Sequence, residues 1–234
     1  MITKKRRLDV RLSFSLITFL TSLILSHSIG EIFYNSIDGT DFYRYFRYIE
    51  YFMGEIETPT REQGLFYFWV ISLFIKSSQN FYISENWEFI YSTAIQLGNF
   101  VFYLVGILGL IYLLRSRKVP WEKIFLVLSV LNFFPPLFGG RLIMKPEILA
   151  FAFLPWIILA IDNYLEKQNY FSLIYASLLL SIIATSKGTV ALIAVALPLG
   201  SVEPTCPLLL FKSPITSPIN SSGVTTSTFI IGSN

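Results

Sequence analysis

Residues 12–29 read LSFSLITFLTSLILSHSI, an apolar run without Asp, Glu, Lys or Arg that follows the basic cluster at 4–7. An α-helix needs about 20 mostly apolar residues to cross a bilayer, so the run predicts a first transmembrane helix at 12–30. Basic residues before a first transmembrane helix keep that end of the chain in the cytoplasm, so residues 1–11 are predicted to be cytoplasmic. The alternative is a cleaved signal peptide, for which Ser-His-Ser at 26–28 is a poor cleavage site.

The composition also favours lipid as the solvent. Of 234 residues, 53% are hydrophobic and 14% are charged, with a mean hydropathy of +0.59. An ordinary soluble domain carries about 25% charged residues, so a free-standing soluble domain is improbable. One cysteine excludes an intrachain disulfide framework, and one histidine excludes a histidine-cluster zinc site. The basic residues gather at predicted membrane boundaries, which argues against nucleic-acid binding.

The rest of the chain up to residue 199 predicts further membrane helices. The apolar runs lie at 89–114, 124–138, 147–161, 171–185 and, more weakly, 189–199. The acidic segment 31–88 fits an extracytoplasmic first loop. Its run at 64–76 is short for a crossing, and a crossing there would put the basic cluster 115–118 outside, against the positive-inside rule. We therefore interpret 64–76 as an interfacial or re-entrant helix, and the chain as an all-α, multi-span integral membrane bundle whose first loop carries two interfacial helices.

Prolines and the C-terminal composition modify this pattern. Pro135 and Pro136 predict a break at the outer end of the 124–138 span, and Pro155 predicts a kink in the next helix. Broken backbone at membrane depth is tolerated where it lines a cavity, so the outer broken region is a candidate site. From 201 to 234, 16 of 34 residues are Ser, Thr or Pro. This tail is either unstructured or the product of a truncated or frame-shifted reading frame.

The segment 38–54, DGTDFYRYFRYIEYFMG, predicts an amphipathic helix on the outer membrane surface. Thr40 can cap its start and Gly54 can end it. Helical spacing gives it an apolar stripe formed by Phe42, Phe46, Ile49 and Met53. Its polar face is formed by Asp41, Arg44, Tyr45 and Tyr48. Asp38 and Asp41 lie where the first span emerges. An isolated Asp at this position would simply cap the helix or face solvent.

The order of these features resembles the GT-C membrane glycosyltransferases, which include protein O-mannosyltransferases and aminoarabinose transferases. In that family an acid in the first outer loop is followed by an aromatic helix, a glycine turn and a second interfacial helix. This chain has Asp41, Tyr43, Tyr45, the Gly54-Glu55 pair, Pro59 and then QGLFYFW at 63–69. It departs from the family in having Gln63-Gly64 instead of Pro-Pro, and Phe42 where many members carry a second acid. The resemblance covers about residues 8–190.

The resemblance implies a donor sugar on a polyprenyl phosphate and an acceptor glycan, lipid or protein on the extracytoplasmic face of a bacterial inner membrane. It implies Asp41 as the base that deprotonates the acceptor, with Asp38 as the second candidate or as a group that orients the acceptor or a divalent cation. Tyr45, Arg44 and Gln63 would orient the substrate. The family's longer members carry more spans and a soluble C-terminal region, so the chain is expected to be truncated.

The leaving lipid phosphate calls for cations, and Arg141, Lys145 and Lys187 are the candidates. Lys145-Pro146-Glu147 resembles an Arg/Lys-Pro-Glu element at the start of a span in several GT-C branches. The alternatives are that Arg141 and Lys145 snorkel towards headgroups, that Glu147 pairs with one of them, and that Lys187 marks the membrane surface.

Two other functions use lipid-linked glycans: a transporter or flippase, and a polysaccharide polymerase. A transporter needs buried polar groups along its spans. The predicted spans hold few, mainly Gln96, Asn99 and Asn132, whereas the acids gather in the first loop. This distribution favours chemistry at the outer surface. Polymerases usually carry their large outer loop late in the chain, rather than after the first span.

Overall fold

The computed structural model describes residues 2–33, 37, 41–57, 64–81 and 86–186, with side chains at 2–9, 33 and 81 left out. These segments form eight α-helices and no strand, which confirms the all-α prediction for this part of the chain. The helices are α1 Ile2–Phe33, α2 Phe42–Met53, α3 Leu65–Phe81, α4 Trp87–Ser116, α5 Trp121–Leu131, α6 Pro135–Leu142, α7 Ile148–Lys167 and α8 Tyr170–Ser186. The predictions for Asp38, Thr40, Pro59, Gln63, Lys187, 189–199 and 201–234 lie outside the described residues.

Three helices are long and apolar enough to cross a membrane. They are Val10–Ile32 within α1, Trp87–Ser116 and Ile148–Lys167. The pair α5 and α6 forms a fourth candidate if a helix bent by 64° counts as one span. Helix α8 is apolar but shorter, with 17 residues.

Helix α4 is the central element, and α7 packs parallel to it along its second half. Gly106 and Gly109 let α7 approach closely, because a Cβ at Gly106 would lie 2.5 Å from the Phe151 ring and one at Gly109 would lie 2.6 Å from the Trp156 indole. At the far end, Arg117 pairs with Asp162 at 2.7 Å. Residues 99–116 of α4 alone measure roughly 27 Å at 1.5 Å per residue, close to the thickness of a bilayer core.

Helices α2 and α3 cover the first half of α4, which α7 does not reach. Helix α3 runs antiparallel to α4, with the Tyr67 hydroxyl donating to Asn99 at 2.7 Å and Ile71 packed against Gly98. Helix α2 lies on α3, where Tyr48 stacks on Phe68 with ring centres 4.6 Å apart. A layer of α2 and α3 therefore sits at one end of the bundle formed by α1, α4, α5 and α7.

Helices α1 and α5 pack side by side in parallel. Phe19 stacks on Phe125 with ring centres 5.8 Å apart. Further along both helices, Asn132, just after α5, donates to Ser22 at 2.7 Å. Helix α1 runs antiparallel to α4, where His27 stacks on Phe100 at 4.4 Å. The ends of α1 and α6 meet where Gly30 leaves room for the Leu142 side chain.

The proline predictions are confirmed in part. The 124–138 run breaks, but at residues 132–134, and Pro135 begins α6 instead of ending α5. A proline at the first helical position is favoured because the missing N–H would have no helical acceptor there. Helix α7 continues through Pro155. The ring leaves the Phe151 carbonyl without its helical donor, and this carbonyl faces Gly106 of α4.

Candidate functional site

Several helix ends meet at the level where α3 begins. The Tyr67 hydroxyl bonds Asn99, whose amide donates to the Ile143 carbonyl at 2.8 Å. Gly64, just before α3, touches the backbone of Thr185 near the end of α8 so closely that any Cβ there would overlap it. Tyr45, in the first turn of α2, packs on Phe68 with ring centres 5.5 Å apart. We call these surroundings, residues 41–45, 64–68, 141–147 and 185–186, the helix-end junction.

Asp41 is the exposed acid of the junction. It occupies the N-cap position of α2, yet its side chain makes no capping hydrogen bond. Its backbone carbonyl accepts a hydrogen bond from the Tyr45 amide at 3.0 Å. Among the described residues its carboxylate also has no ion-pair partner. The side chain therefore does not cap α2, and within the described part of the chain the carboxylate is open to accept a proton or a hydrogen bond.

The structure corrects the prediction that Tyr45 and Tyr48 lie on the polar face of α2. Tyr45 is 4% exposed and Tyr48 is fully buried. The buried face of α2 is Phe42, Tyr45, Tyr48 and Ile49. The ring of Phe68 on α3 packs against both tyrosine rings. This aromatic contact is more favourable for the rings than exposure to water. Of the three residues expected to orient the substrate, Arg44 is exposed, Tyr45 is buried and Gln63 lies outside the described residues.

The bonds from Tyr67 through Asn99 to Ile143 hold the segment 143–147 in place. Burial raises the pKa of the Tyr67 hydroxyl well above its ordinary value, so the hydroxyl stays protonated and donates to Asn99. Lys145 is exposed in this segment and forms no ion pair with any described residue. The alternative in which Glu147 pairs with Arg141 or Lys145 is not found among the described ion pairs.

Arg141 is buried inside the bundle, with 2% of its surface exposed. Its Nη2 donates to the Asn132 carbonyl at 2.8 Å and to Ser26 Oγ at 3.1 Å. Within the described part of the chain, Nε and Nη1 have no hydrogen-bond partner. The snorkelling alternative is therefore wrong for Arg141, because a snorkelling side chain would carry its charge out to the headgroups.

Arg141 belongs to a polar network that joins α1, α4 and the break between α5 and α6. The amide of Asn132 donates to Ser22 Oγ and accepts from the Tyr103 hydroxyl, both at 2.7 Å. The sequence pointed to Asn132 and Arg141 but missed Tyr103, Ser22 and Ser26. The spacing of Ser15, Ser22 and Ser26 along one face of α1 is a signal that could have found the two serines.

The two groups of candidate residues thus occupy different environments. Asp41, Arg44 and Lys145 are exposed in the junction, whereas Arg141 is buried. No match to this chain was found among protein-family models, curated proteins or solved structures. The function of the junction must therefore be inferred from its own residues. In the described part of the chain, no three His, Cys, Asp or Glu side chains lie close enough together to hold a metal ion.

Proposed function

We propose that the chain is a membrane-embedded glycosyltransferase that moves a sugar from a polyprenyl-phosphate donor to an acceptor on the extracytoplasmic face. The observation that carries this proposal is the exposed carboxylate of Asp41, which has no ion-pair partner among the described residues, in a junction that also contains the exposed Lys145 and the buried Arg141. A carboxylate and cations at one end of a helical bundle are the groups that this reaction needs.

In the proposed step, the acceptor hydroxyl attacks the anomeric carbon of the donor sugar. A carbon–oxygen bond forms to the acceptor, and the bond from the anomeric carbon to the phosphate oxygen breaks. Asp41 takes the acceptor proton as the sugar becomes oxocarbenium-like. The polyprenyl phosphate leaves with the bonding electron pair, and its negative charge is stabilised by nearby cations.

Arg141 and Lys145 are the proposed phosphate ligands of the described residues. Two of the three guanidinium nitrogens of Arg141 have no partner in the described part of the chain, and a buried cation without a counter-ion is costly. A lipid phosphate would supply both the acceptor oxygens and the missing negative charge. Lys145 would contact the same phosphate from the exposed rim. Lys187 is the third proposed ligand and lies outside the described residues.

The packing of α4 supports the proposed membrane topology. The second half of α4 pairs with α7, whereas the first half of α4 pairs with α3. In this arrangement α2 and α3 form an interfacial layer, residues 31–88 lie on the extracytoplasmic side, and the N-terminus lies in the cytoplasm. The junction then lies where α1, α6 and α8 reach the outer leaflet, in reach of a lipid-linked donor.

The test is transfer from a panel of radiolabelled polyprenyl-phosphate sugars by the chain reconstituted in nanodiscs. Wherever a sugar is released or transferred, we expect Asp41→Asn to lower the rate by roughly 10² to 10⁴, the usual worth of general base catalysis. Glu57→Gln is the matched control, because Glu57 is an exposed acid of the same loop. Equal activity of the wild type and Asp41→Asn on every active donor would refute Asp41 as the base.

A second candidate function, transport of lipid-linked glycans, is favoured by the buried network. Ser22, Tyr103, Asn132 and Arg141 form a polar path inside the bundle, and polar groups within membrane helices commonly mark substrate paths. Flux of a fluorescent polyprenyl-phosphate lipid across vesicles separates the two functions. A transporter would lose flux in Arg141→Met and keep it in Asp41→Asn, whereas the proposed transferase would show no protein-dependent flux.

A further inference from the structure

A cleft between α1 and α5 opens at the end of the bundle opposite the junction. It has a volume of about 520 Å³, and its lining includes Val10, Arg11 and Phe14 of α1 and Glu122, Lys123 and Leu126 of α5. Because α1 and α5 run in parallel, the cleft is lined by the part of α1 that follows the basic segment 4–7 and by the first turns of α5. The cleft shares no residue with the junction or with the Arg141 network.

The walls of the cleft are apolar and open to the side. Val10 and Phe14 lie one turn apart on α1 and are 64% and 68% exposed, and Leu126 on the facing helix is 46% exposed. Three large apolar side chains exposed around one groove are costly in water. The hydrocarbon chain of a lipid beside the two helices would cover them.

Cations from both helices stand at the mouth of the cleft. Arg11 and Lys123 are exposed, and neither forms an ion pair with a described residue. Among the described lining residues, Glu122, half-buried, is the single carboxylate, so Arg11, Glu122 and Lys123 together carry a net positive charge. The sequence adds four more basic residues at 4–7, in the turns of α1 before the cleft.

We propose that this cleft binds one anionic glycerophospholipid with hydroxyls in its headgroup, of the phosphatidylglycerol class. Its phosphate lies between Arg11 and Lys123, and the upper part of one acyl chain lies along Phe14 and Leu126. Glu122 accepts a hydrogen bond from a headgroup hydroxyl, which a carboxylate can do without a counter-ion. The inference rests on the proposed membrane insertion and is independent of any transferase activity.

The experiment is native mass spectrometry of the full chain, equilibrated in detergent with equal amounts of phosphatidylglycerol, phosphatidylethanolamine and phosphatidylcholine. We expect one retained phosphatidylglycerol in clear excess over the other two. The double variant Arg11→Gln/Lys123→Gln should lower this preference by roughly 30-fold. Each basic residue near an anionic headgroup contributes about 1 kcal/mol to binding, and the two contributions add. Both side chains are exposed, so this double variant should fold normally.

The control is Lys118→Gln/Lys167→Gln, which removes two exposed cations at the same end of the bundle but outside the cleft. It should keep the preference. An equal loss in this control would show a diffuse cationic surface and overturn the proposal, as would equal retention of the three lipids by the wild type.

Glu122→Gln distinguishes the headgroup. The Gln oxygen can still accept from the headgroup hydroxyl, and a like charge disappears from beside the phosphate, so retention of phosphatidylglycerol should rise. A site for phosphatidylethanolamine would instead lose affinity, because its ammonium group would lose its partner, and that result would also overturn the proposal. Phe14→Ala should weaken retention of every lipid while leaving the phosphatidylglycerol preference intact. A changed preference in Phe14→Ala would contradict the placement of the acyl chain.

Discussion

The guanidinium of Arg141 lies 4.4 Å above the centre of the Tyr103 ring and donates to the carbonyl of Asn132. In a continuous helix this carbonyl would accept from residue 136, which is a proline without an N–H. Arg141 therefore supplies the hydrogen bond that Pro136 cannot make. The aromatic face offsets part of the buried charge, since a desolvated cation–π contact contributes about 2 kcal/mol.

We expect Arg141→Met to separate the structural role of this residue from its proposed role in phosphate binding. Met fills similar space and removes a buried charge without a counter-ion, so the loss of two hydrogen bonds should be largely offset. The melting temperature in detergent should change by only a few degrees. Binding of radiolabelled polyprenyl phosphate should fall roughly 10- to 100-fold, the worth of a charge-assisted hydrogen bond.

Arg141→Ala is the comparison, because it leaves a cavity and should lower the melting temperature further than Met does. Unchanged binding of polyprenyl phosphate by Arg141→Met would contradict the phosphate role. Unfolding of Arg141→Met would show that Arg141 mainly holds α1, α4 and the α5–α6 break together.

The sequence predicted the helical bundle because apolar runs of sufficient length have few alternatives to a helix in lipid. It also predicted the end of α2 at Gly54, which adopts a left-handed conformation with φ of 88°. Only glycine takes this conformation without strain, so the signal is local and can be read from the chain.

The sequence could not predict which face of α2 is buried, or where Arg141 lies. Tyr45 and Tyr48 are amphipathic, and their burial depends on Phe68, a residue 20 or more positions away on another helix. The surroundings of Arg141 depend on Ser26 and Tyr103, which long stretches of chain separate from it. The periodicity of a sequence shows which face of a helix is apolar, but it does not show which other helix packs against that face.

Tyr67→Phe should loosen the contact between α3, α4 and the segment 143–147. The change removes the donor to the Asn99 side chain and leaves its buried oxygen without this hydrogen bond. We expect a loss of about 1–2 kcal/mol in the free energy of unfolding, measured by denaturant titration in mixed micelles. Tyr43→Phe is the control, because Tyr43 is 77% exposed and should change stability by less than roughly 0.5 kcal/mol. A matching loss in both variants would mean that the buried hydrogen bond adds nothing.

Gly64→Ala should separate α3 from α8. The new Cβ would overlap the Thr185 carbonyl, a backbone group that cannot rotate away. We expect a lower melting temperature and faster cleavage by protease between α2 and α3. Gly139→Ala is the matched control, since a Cβ there meets no atom within 4 Å and alanine favours a helix. Tolerance of both substitutions would contradict the close packing of α3 on α8.

The last prediction concerns which side of the membrane each end of α4 faces. At 30 residues α4 measures roughly 45 Å, longer than a bilayer core, and Arg117 near its end pairs with Asp162 near the end of α7. Single cysteines replacing Ser116 and Lys167 should therefore react with an impermeant thiol reagent from the same side, the cytoplasm. A cysteine replacing Glu57 should react from the opposite side. All three single-cysteine variants also carry Cys206→Ser, so that the introduced cysteine is the one that reacts. Labelling of the Glu57 and Ser116 positions from one side would show that α3 crosses the membrane, which would end its interpretation as an interfacial or re-entrant helix.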